Sequence, residues 1–331
     1  MALFDIPARA GKEADNKIAK KANSKARRTA TVKGGSSLTE KIAAIKALVE
    51  KNLGQFKDDY IVIREEQVLH NYIDKCIANN VISIDTETTG LDPLLDDVVG
   101  ICIYTPNMPA AYIPVNHISY ITGVKVENQL PVDVLKAEFE RVVGLDTIMF
   151  NAVFDIRFMK NKIGVTLHCT WDCYLASRCL NENEGRGNRG LKPLHSKYVL
   201  NGKEDAFSFG DLFSGVTFDK IPINTGYIYA AHDAIITYEL YEYQRPFLTI
   251  DNEECIKRGL KDVAWVFHNI EMPCVDAVVE LEDTGVEFDF EYNAKLKEKY
   301  HKILDEKEAK FHEVCDMYSE EIANYKGSVK L

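Results

Sequence analysis

Val81-Ile-Ser-Ile-Asp85-Thr86-Glu87-Thr88-Thr89-Gly90 is the stretch on which the fold turns. An apolar run ends in two carboxylates one residue apart, and Thr89-Gly90 closes it as a turn. Side chains in a strand alternate faces, so Asp85 and Glu87 point the same way. Two carboxylates on one face repel unless a proton or a cation lies between them, and hard divalent ions take such oxygen ligands. Taken alone, the pair is better explained as a polar strand end running into a turn.

Working outward, Tyr60–Ile63, Val98–Tyr104 and Ala111–Val115 read as further strands, and Glu66–Asn79 as a helix. Val132–Val143 is helical by its apolar spacing, Thr147–Phe150 is a short buried strand, and Val153–Lys160 is a helix. Upstream, Ser37 with Glu40 three residues on forms a capping box ahead of Ile42, Ile45 and Leu48. From Trp171 onward helices dominate: Trp171–Leu180, Leu191–Leu200, Gly226–Leu248 and Asn252–Glu271, with a loop over Asn181–Gly190. Strands first, with helices around and after them, predict an α/β layer followed by a helical part. Glu291–Tyr325 lacks Pro and Gly, and its apolar residues trace a narrow stripe on one long helix.

The 331 residues are 46% hydrophobic and 27% charged, which predicts a packed chain of about two domains. No stretch approaches the roughly 18–20 apolar residues of a membrane helix, and Met1–Lys21 lacks the apolar core of a secretory signal. Eight scattered cysteines in a chain this long suggest reduced thiols and a cytoplasmic setting, the host cytoplasm if the source is viral. His168, Cys169, Cys173 and Cys179 fit none of the usual zinc spacings. Net charge is −11, but residues 1–34 carry +6 and the remainder −17. Residues 1–37 read as a disordered basic arm. Overall acidity argues against binding DNA by bulk attraction, while leaving open an acidic, metal-lined cleft.

Two further segments join the first. Asn151-Ala-Val-Phe-Asp155 follows an apolar strand; Asn151 fits a helix N-cap and Asp155 the first turn. In Tyr229-Ala-Ala-His-Asp233 the tyrosine and the acid are four apart and share a helix face. Four acids and a tyrosine so placed point to a metal-dependent phosphodiesterase. Two divalent ions would clamp the attacking and leaving oxygens, and the hydroxyl would orient water.

In this order the three segments resemble the exonuclease motifs of the DEDD 3'→5' exonuclease superfamily, which has an RNase H-like fold: a mixed central sheet flanked by helices. Tyr229, four before the last acid, marks the DEDDy branch; the other branch carries histidine where this chain has Ile228, so His232 is not the family's base. Residues 270–289 resemble the start of the polymerase region of family A DNA polymerases, where the thumb helices begin. Thr170-Trp-Asp172 and Leu191-Lys-Pro-Leu194 sit where that family has short elements between its second and third motifs. No palm or fingers sequence follows, so the chain is not expected to synthesise DNA. It resembles the proofreading half of a phage-type polymerase ending after the first thumb helix, as a split gene, a trimmed chain or a shortened reading frame would give.

The resemblance implies that Asp85 bridges two metal ions, that Glu87 and Asp233 complete one site, and that Asp155 holds the other. Tyr229 would position the nucleophilic water, and magnesium or manganese would suit the oxygen ligands. The substrate would be a single-stranded or frayed 3' DNA end, with Thr88, Leu91, Asn151 and Phe154 as contacts. The implied division is a basic arm over 1–37, an exonuclease domain over 38–250 and a partial thumb over 251–331. Two alternatives stand beside it: an RNA-trimming nuclease of the RNase D type, and an interaction subunit whose stripe docks on a separate polymerase palm-and-fingers chain. No membrane is expected as a partner.

Overall fold

A computed structural model describes residues 37–203, 215–249 and 252–319. All of the expected basic arm except Ser37 lies outside them, as do Ile322 and Tyr325 of the C-terminal stripe. Contacts divide the chain into two compact units, one running to Asp283 and one from Thr284 onward.

Helix α1 (Leu38–Leu53) begins at Ser37 with the expected capping box, Ser37 Oγ accepting from Glu40 N and the Glu40 carboxylate accepting from Ser37 N. Strand β1 (Tyr60–Val62) and helix α2 (Glu66–Asn79) follow. Next come β2 (Val81–Thr88), β3 (Val98–Tyr104), β4 (Ala110–Pro114), α3 (Val132–Glu140), β5 (Asp146–Met149) and α4 (Ala152–Phe158). Each lies within a few residues of where apolar periodicity placed it. Trp171 and Asp172 depart from expectation: they are not the first turn of a helix but a short strand, β6, paired parallel to β5. Helix α5 (Cys173–Leu180) begins after Asp172, whose carboxylate caps it. A two-residue strand has no period of its own, so the helical pattern beyond it absorbed it.

The six described strands form one sheet in the order β1-β4-β3-β2-β5-β6. β2 is central, antiparallel to β3 and parallel to β5. Its alternation separates two cores. Ile82 and Ile84 pack with Leu69, Ile73, Leu135 and Phe139 from α2 and α3. The opposite face joins Cys102 and Tyr112 to Ile42 and Ile45 of α1 and to Ile228, Ala231 and Ala234 of a later helix. Asp85 lies opposite Cys102 and Glu87 opposite Gly100 across the β2–β3 pair, which puts both acids on that second face. Gly100 leaves room there, since a Cβ would run into the Tyr112 ring.

Helices α6 (Leu191–Tyr198) and α7 (Ile223–Leu248) follow. The single helix expected over 252–271 is broken into α8 (Glu253–Lys257) and α9 (Val263–Val266). Gly259, at φ 66°, ends one turn of chain, and Asp262 caps the next by accepting from Trp265 N at 2.8 Å. A π-helical turn, Phe267–Glu271, then leads without a stop into α10 (Met272–Thr284). Pro273 lacks the N–H that an unbroken α-helix would use, and the wider turn before it accommodates that loss. In the second unit α11 (Phe290–Met317) is one continuous helix, capped by Asp289 and without a buried side chain. No helix among the described residues is long and apolar enough to cross a membrane.

Candidate active site

The sheet supplies two of the acids and anchors a third. Asp85 and Glu87 come from the end of β2, where the register with β3 shifts between Glu87 and Thr88. Asp155 enters from the first turn of α4, which starts off the end of β5. It is 3% exposed, and its Oδ1 accepts from Thr86 N at 2.9 Å and Thr86 Oγ1 at 2.6 Å. A side chain on the opposite face of β2 from Asp85 and Glu87 therefore holds the third acid.

The start of α4 is set by Asp172, not by Asn151. Asn151 occupies the N-cap position, at φ 64° in the left-handed region, but its side chain makes no capping bond. Instead the Asp172 carboxylate accepts from Asn151 N at 3.0 Å and Ala152 N at 2.9 Å, and also from Tyr174 N at 2.8 Å at the start of α5. One buried carboxylate thus serves two helix N-termini, whose orphan N–H groups and positive dipole ends favour an anion.

The fourth acid and the tyrosine come from α7, which lies across the Asp85–Glu87 face. Tyr229 and Asp233 are one turn apart, as expected. Between them reaches a side chain whose part in the site the sequence did not disclose: Lys192 of α6 lies with Nζ 3.0 Å from Asp233 Oδ1 and 3.9 Å from the Tyr229 ring centre. That oxygen of Asp233 is buried and accepts no aligned hydrogen bond, so the ammonium meets it as a point charge. His232, beside Asp233, turns to β1, with Nδ1 2.8 Å from the Tyr60 hydroxyl.

Burial and mutual repulsion dominate the electrostatics. Asp85 is pushed well above the usual carboxylate range by desolvation and then by Asp155, Asp233 and Glu87. Desolvation and Asp233 bring Glu87 to about 8, against the opposing pull of Lys192. Asp155 rises to about 7 through burial, although its bonds from Thr86 pull it down. Burial also raises Tyr229, so its hydroxyl keeps its proton. Burial alone would lower Lys192; Asp233 and Tyr229 outweigh it and hold the ammonium charged.

An all-oxygen set of clustered acids, each favouring a cation beside it, fits hard divalent ions, and Lys192 is the positive charge that stands among them. In this arrangement no three His, Cys, Asp or Glu side chains among the described residues converge tightly enough to hold one ion together. Asp155 is engaged by Thr86 and Asp233 by Lys192.

A cleft of about 310 Å³ is lined by Leu91, Asn151, Phe154, Arg157 and Glu282, among others, and by none of the four acids. It gathers three of the four expected substrate contacts. Thr88 is not among them, and its hydroxyl donates to the Gly90 carbonyl at 2.6 Å. Leu91 is 84% exposed, an apolar surface open to a ligand. Thr86, Asp172 and Lys192 adjoin the candidate site through Asp155, the start of α4 and Asp233. Asp172 and Lys192 lie in short elements that the sequence did single out, but only tertiary contact gives them their roles.

Two acids at the end of the central strand of a mixed sheet and two on flanking helices form the kind of acidic cluster that suits a phosphodiester hydrolase. The profile of the 3'→5' exonuclease domain of A-type DNA polymerases matches residues 60–248, and the chain belongs to that family, whose members use divalent metals. DNA polymerase I of Rhizobium leguminosarum is 25% identical over 256 residues, covering 72% of this chain and 24% of the relative. DNA polymerase DpoZ of Vibrio phage phiVC8 is 29% identical over 251 residues, covering 70% and 36%. The chain spans about a quarter to a third of the curated relatives it matches. A solved structure of the polymerase domain of Pol1 from M. smegmatis, in complex with DNA primer-template and dNTP, shares the fold with TM-score 0.51 at 13% identity, over 73% of this chain and 35% of that one.

Proposed function

We propose that the chain trims 3' ends of DNA as the proofreading nuclease of a family A replicative polymerase, using two divalent ions, Mg²⁺ or Mn²⁺. The observation that carries this reading is that Asp155, Asp233 and Glu87 all lie near enough to Asp85 to repel its charge, with Tyr229 one helix turn from Asp233. Asp85, Glu87 and Asp233 would hold one ion, and Asp85 with Asp155 the other. Bound there, such ions would supply Lewis-acid activation of water and offset the charge on the phosphate.

The chain's own residues do the rest. Thr86 and Asp172 hold Asp155 and its helix in place before substrate arrives. The protonated Tyr229 hydroxyl orients water for in-line attack. Leu91, Asn151 and Phe154 form a cleft in which the terminal base of a frayed strand stacks. Thr88 acts through the β2 turn and not by direct contact, since its hydroxyl closes that turn.

The functional division we propose keeps the arm over 1–37, the nuclease over 38–250 and the thumb-like start over 251–331. A separate palm-and-fingers chain is a partner suited to α11, which exposes Tyr292, Tyr300, Phe311 and Met317.

A 5'-labelled single DNA strand with Mg²⁺, beside EDTA and the Asp85→Ala/Glu87→Ala variant, tests the reading. A ladder shortening from the 3' end only with metal and intact acids is expected. A matched RNA strand separates it from an RNase D-type activity, and a primer-template with all four nucleotides is expected to show no extension.

A further inference from the structure

Lys192 is a cation whose place in the site needs its own account. It enters from the second residue of α6, after a glycine-containing loop, and its ammonium lies 3.0 Å from Asp233 Oδ1 and 3.9 Å from the Tyr229 ring centre. The helix that carries it is fixed: Leu194 is 1% exposed, and His195 Nε2 lies 2.6 Å from Glu239 Oε2 of α7. Only the flexible four-carbon stem separates that fixed backbone from the charge, so the ammonium can swing while the helix stays. Asp233 Oδ1 has no aligned hydrogen bond to keep it in its present arrangement.

A divalent ion ligated by Asp233 and an ammonium 3.0 Å from the same carboxylate oxygen repel each other at short range, and both cannot hold it at full strength. We propose that Lys192 is the resident counter-ion of the carboxylate cluster, that it competes with divalent metal for Asp233, and that it thereby sets how tightly the site loads. The inference rests on the metal reading given under Proposed function. Lys192 is a positioning residue in this scheme: it balances the acids until metal takes over that role, and it must move off Asp233 as metal binds.

The test is Mn²⁺ titration of the full chain, followed by paramagnetic resonance of free Mn²⁺ and by thermal melting in EDTA and in saturating Mn²⁺. Wild type is compared with Lys192→Gln, Lys192→Arg and Asp85→Ala/Glu87→Ala. Lys192→Gln is expected to bind Mn²⁺ about tenfold more tightly, with a lower Tm in EDTA that saturating Mn²⁺ restores; Lys192→Arg keeps the wild-type affinity within about threefold. Unchanged or weaker Mn²⁺ binding by Lys192→Gln overturns the proposal.

If Lys192→Gln does not fold, the wild type still decides. Acetylation of Lys192 by acetic anhydride, read by mass spectrometry, should rise several-fold on Mg²⁺ saturation relative to EDTA, and no rise overturns the proposal. The double variant separates this inference from the one beneath it. If wild type binds no Mn²⁺, or the double variant binds it equally well, the metal reading itself falls. If only the double variant loses Mn²⁺ and Lys192→Gln fails to gain affinity, the competition alone is refuted.

Discussion

The two halves of the site are held in different ways. On the sheet side, Asp155 is tied to Thr86 by two hydrogen bonds, and the helix that bears it is tied to Asp172 by two more. On the helical side, Asp233 meets Lys192 across a charge contact, and its buried oxygen accepts no aligned hydrogen bond. Directional bonds to backbone N–H groups fix a carboxylate to within a narrow angle, whereas a point charge on a flexible stem fixes distance only. The sheet half is therefore preorganised and the helical half adjustable. An acid anchored by a strand residue inherits the rigidity of the ladder; one carried by a helix laid across the sheet depends on whatever the next helix presents to it.

The largest expected effect comes from removing the acids at the centre of both halves. Asp85→Ala with Glu87→Ala should lower the cleavage rate by about three orders of magnitude or more, a loss of several kcal/mol of charge stabilisation. It should leave Tm unchanged or higher in EDTA, because two repelling carboxylates are gone. A Tm well below wild type would assign those acids a structural role instead.

Next in size, Asp172→Ala attacks the rigid half from a distance. It strips the partner from the N–H groups of Asn151, Ala152 and Tyr174 and should cost about 3 kcal/mol, read by chemical denaturation. Cleavage should fall with it, since the turn bearing Asp155 loses its anchor. If stability falls while cleavage by the folded fraction holds, the sheet half is not preorganised in the way described. Tyr229→Phe should slow cleavage by about 10- to 100-fold, less than loss of an acid, because it removes orientation and no ligand.

A pH effect follows from the raised carboxyls. Glu87 at about 8 and Asp155 at about 7 lie above their unfolded values, so between about pH 4 and 8 the folded chain holds more protons than the unfolded one. Stability in EDTA should accordingly fall as pH rises across that window. The Asp85/Glu87 double variant should show a shallower fall; melting curves at half-unit pH steps compare the two slopes. The smallest effect is expected for Thr86→Val, which keeps shape and backbone N–H but removes the hydroxyl bond to Asp155. It should cost about 1 kcal/mol and slow cleavage several-fold, and a wild-type rate would show that the backbone bond alone suffices.

Much of this molecule was legible in one dimension. The alternation through β2 placed Asp85 and Glu87 on one face, and a spacing of four placed Tyr229 over Asp233, because strand and helix periods are local geometry. Ser37 and Glu40 announced α1 by the same logic. Errors fell where local pattern is weak. Trp171-Asp172 is too short to show a period, and the breaks near Gly259 and before Pro273 interrupt a pattern that reads as one helix. Asn151 had the right residue type for a cap, but its left-handed backbone aims no oxygen at the helix start, and an aspartate 21 residues away does so instead.

Local periodicity was enough to single out the four candidate acids and to place Asp85 with Glu87, and Tyr229 with Asp233, on shared faces. Only the tertiary structure decided what holds them. Thr86 on Asp155, Asp172 across two helix starts and Lys192 against Asp233 are contacts between residues 69, 20 and 41 positions apart, between elements that share no local period. Which side chains meet across such separations is set by how helices pack on the sheet, and that packing is a property of the whole core.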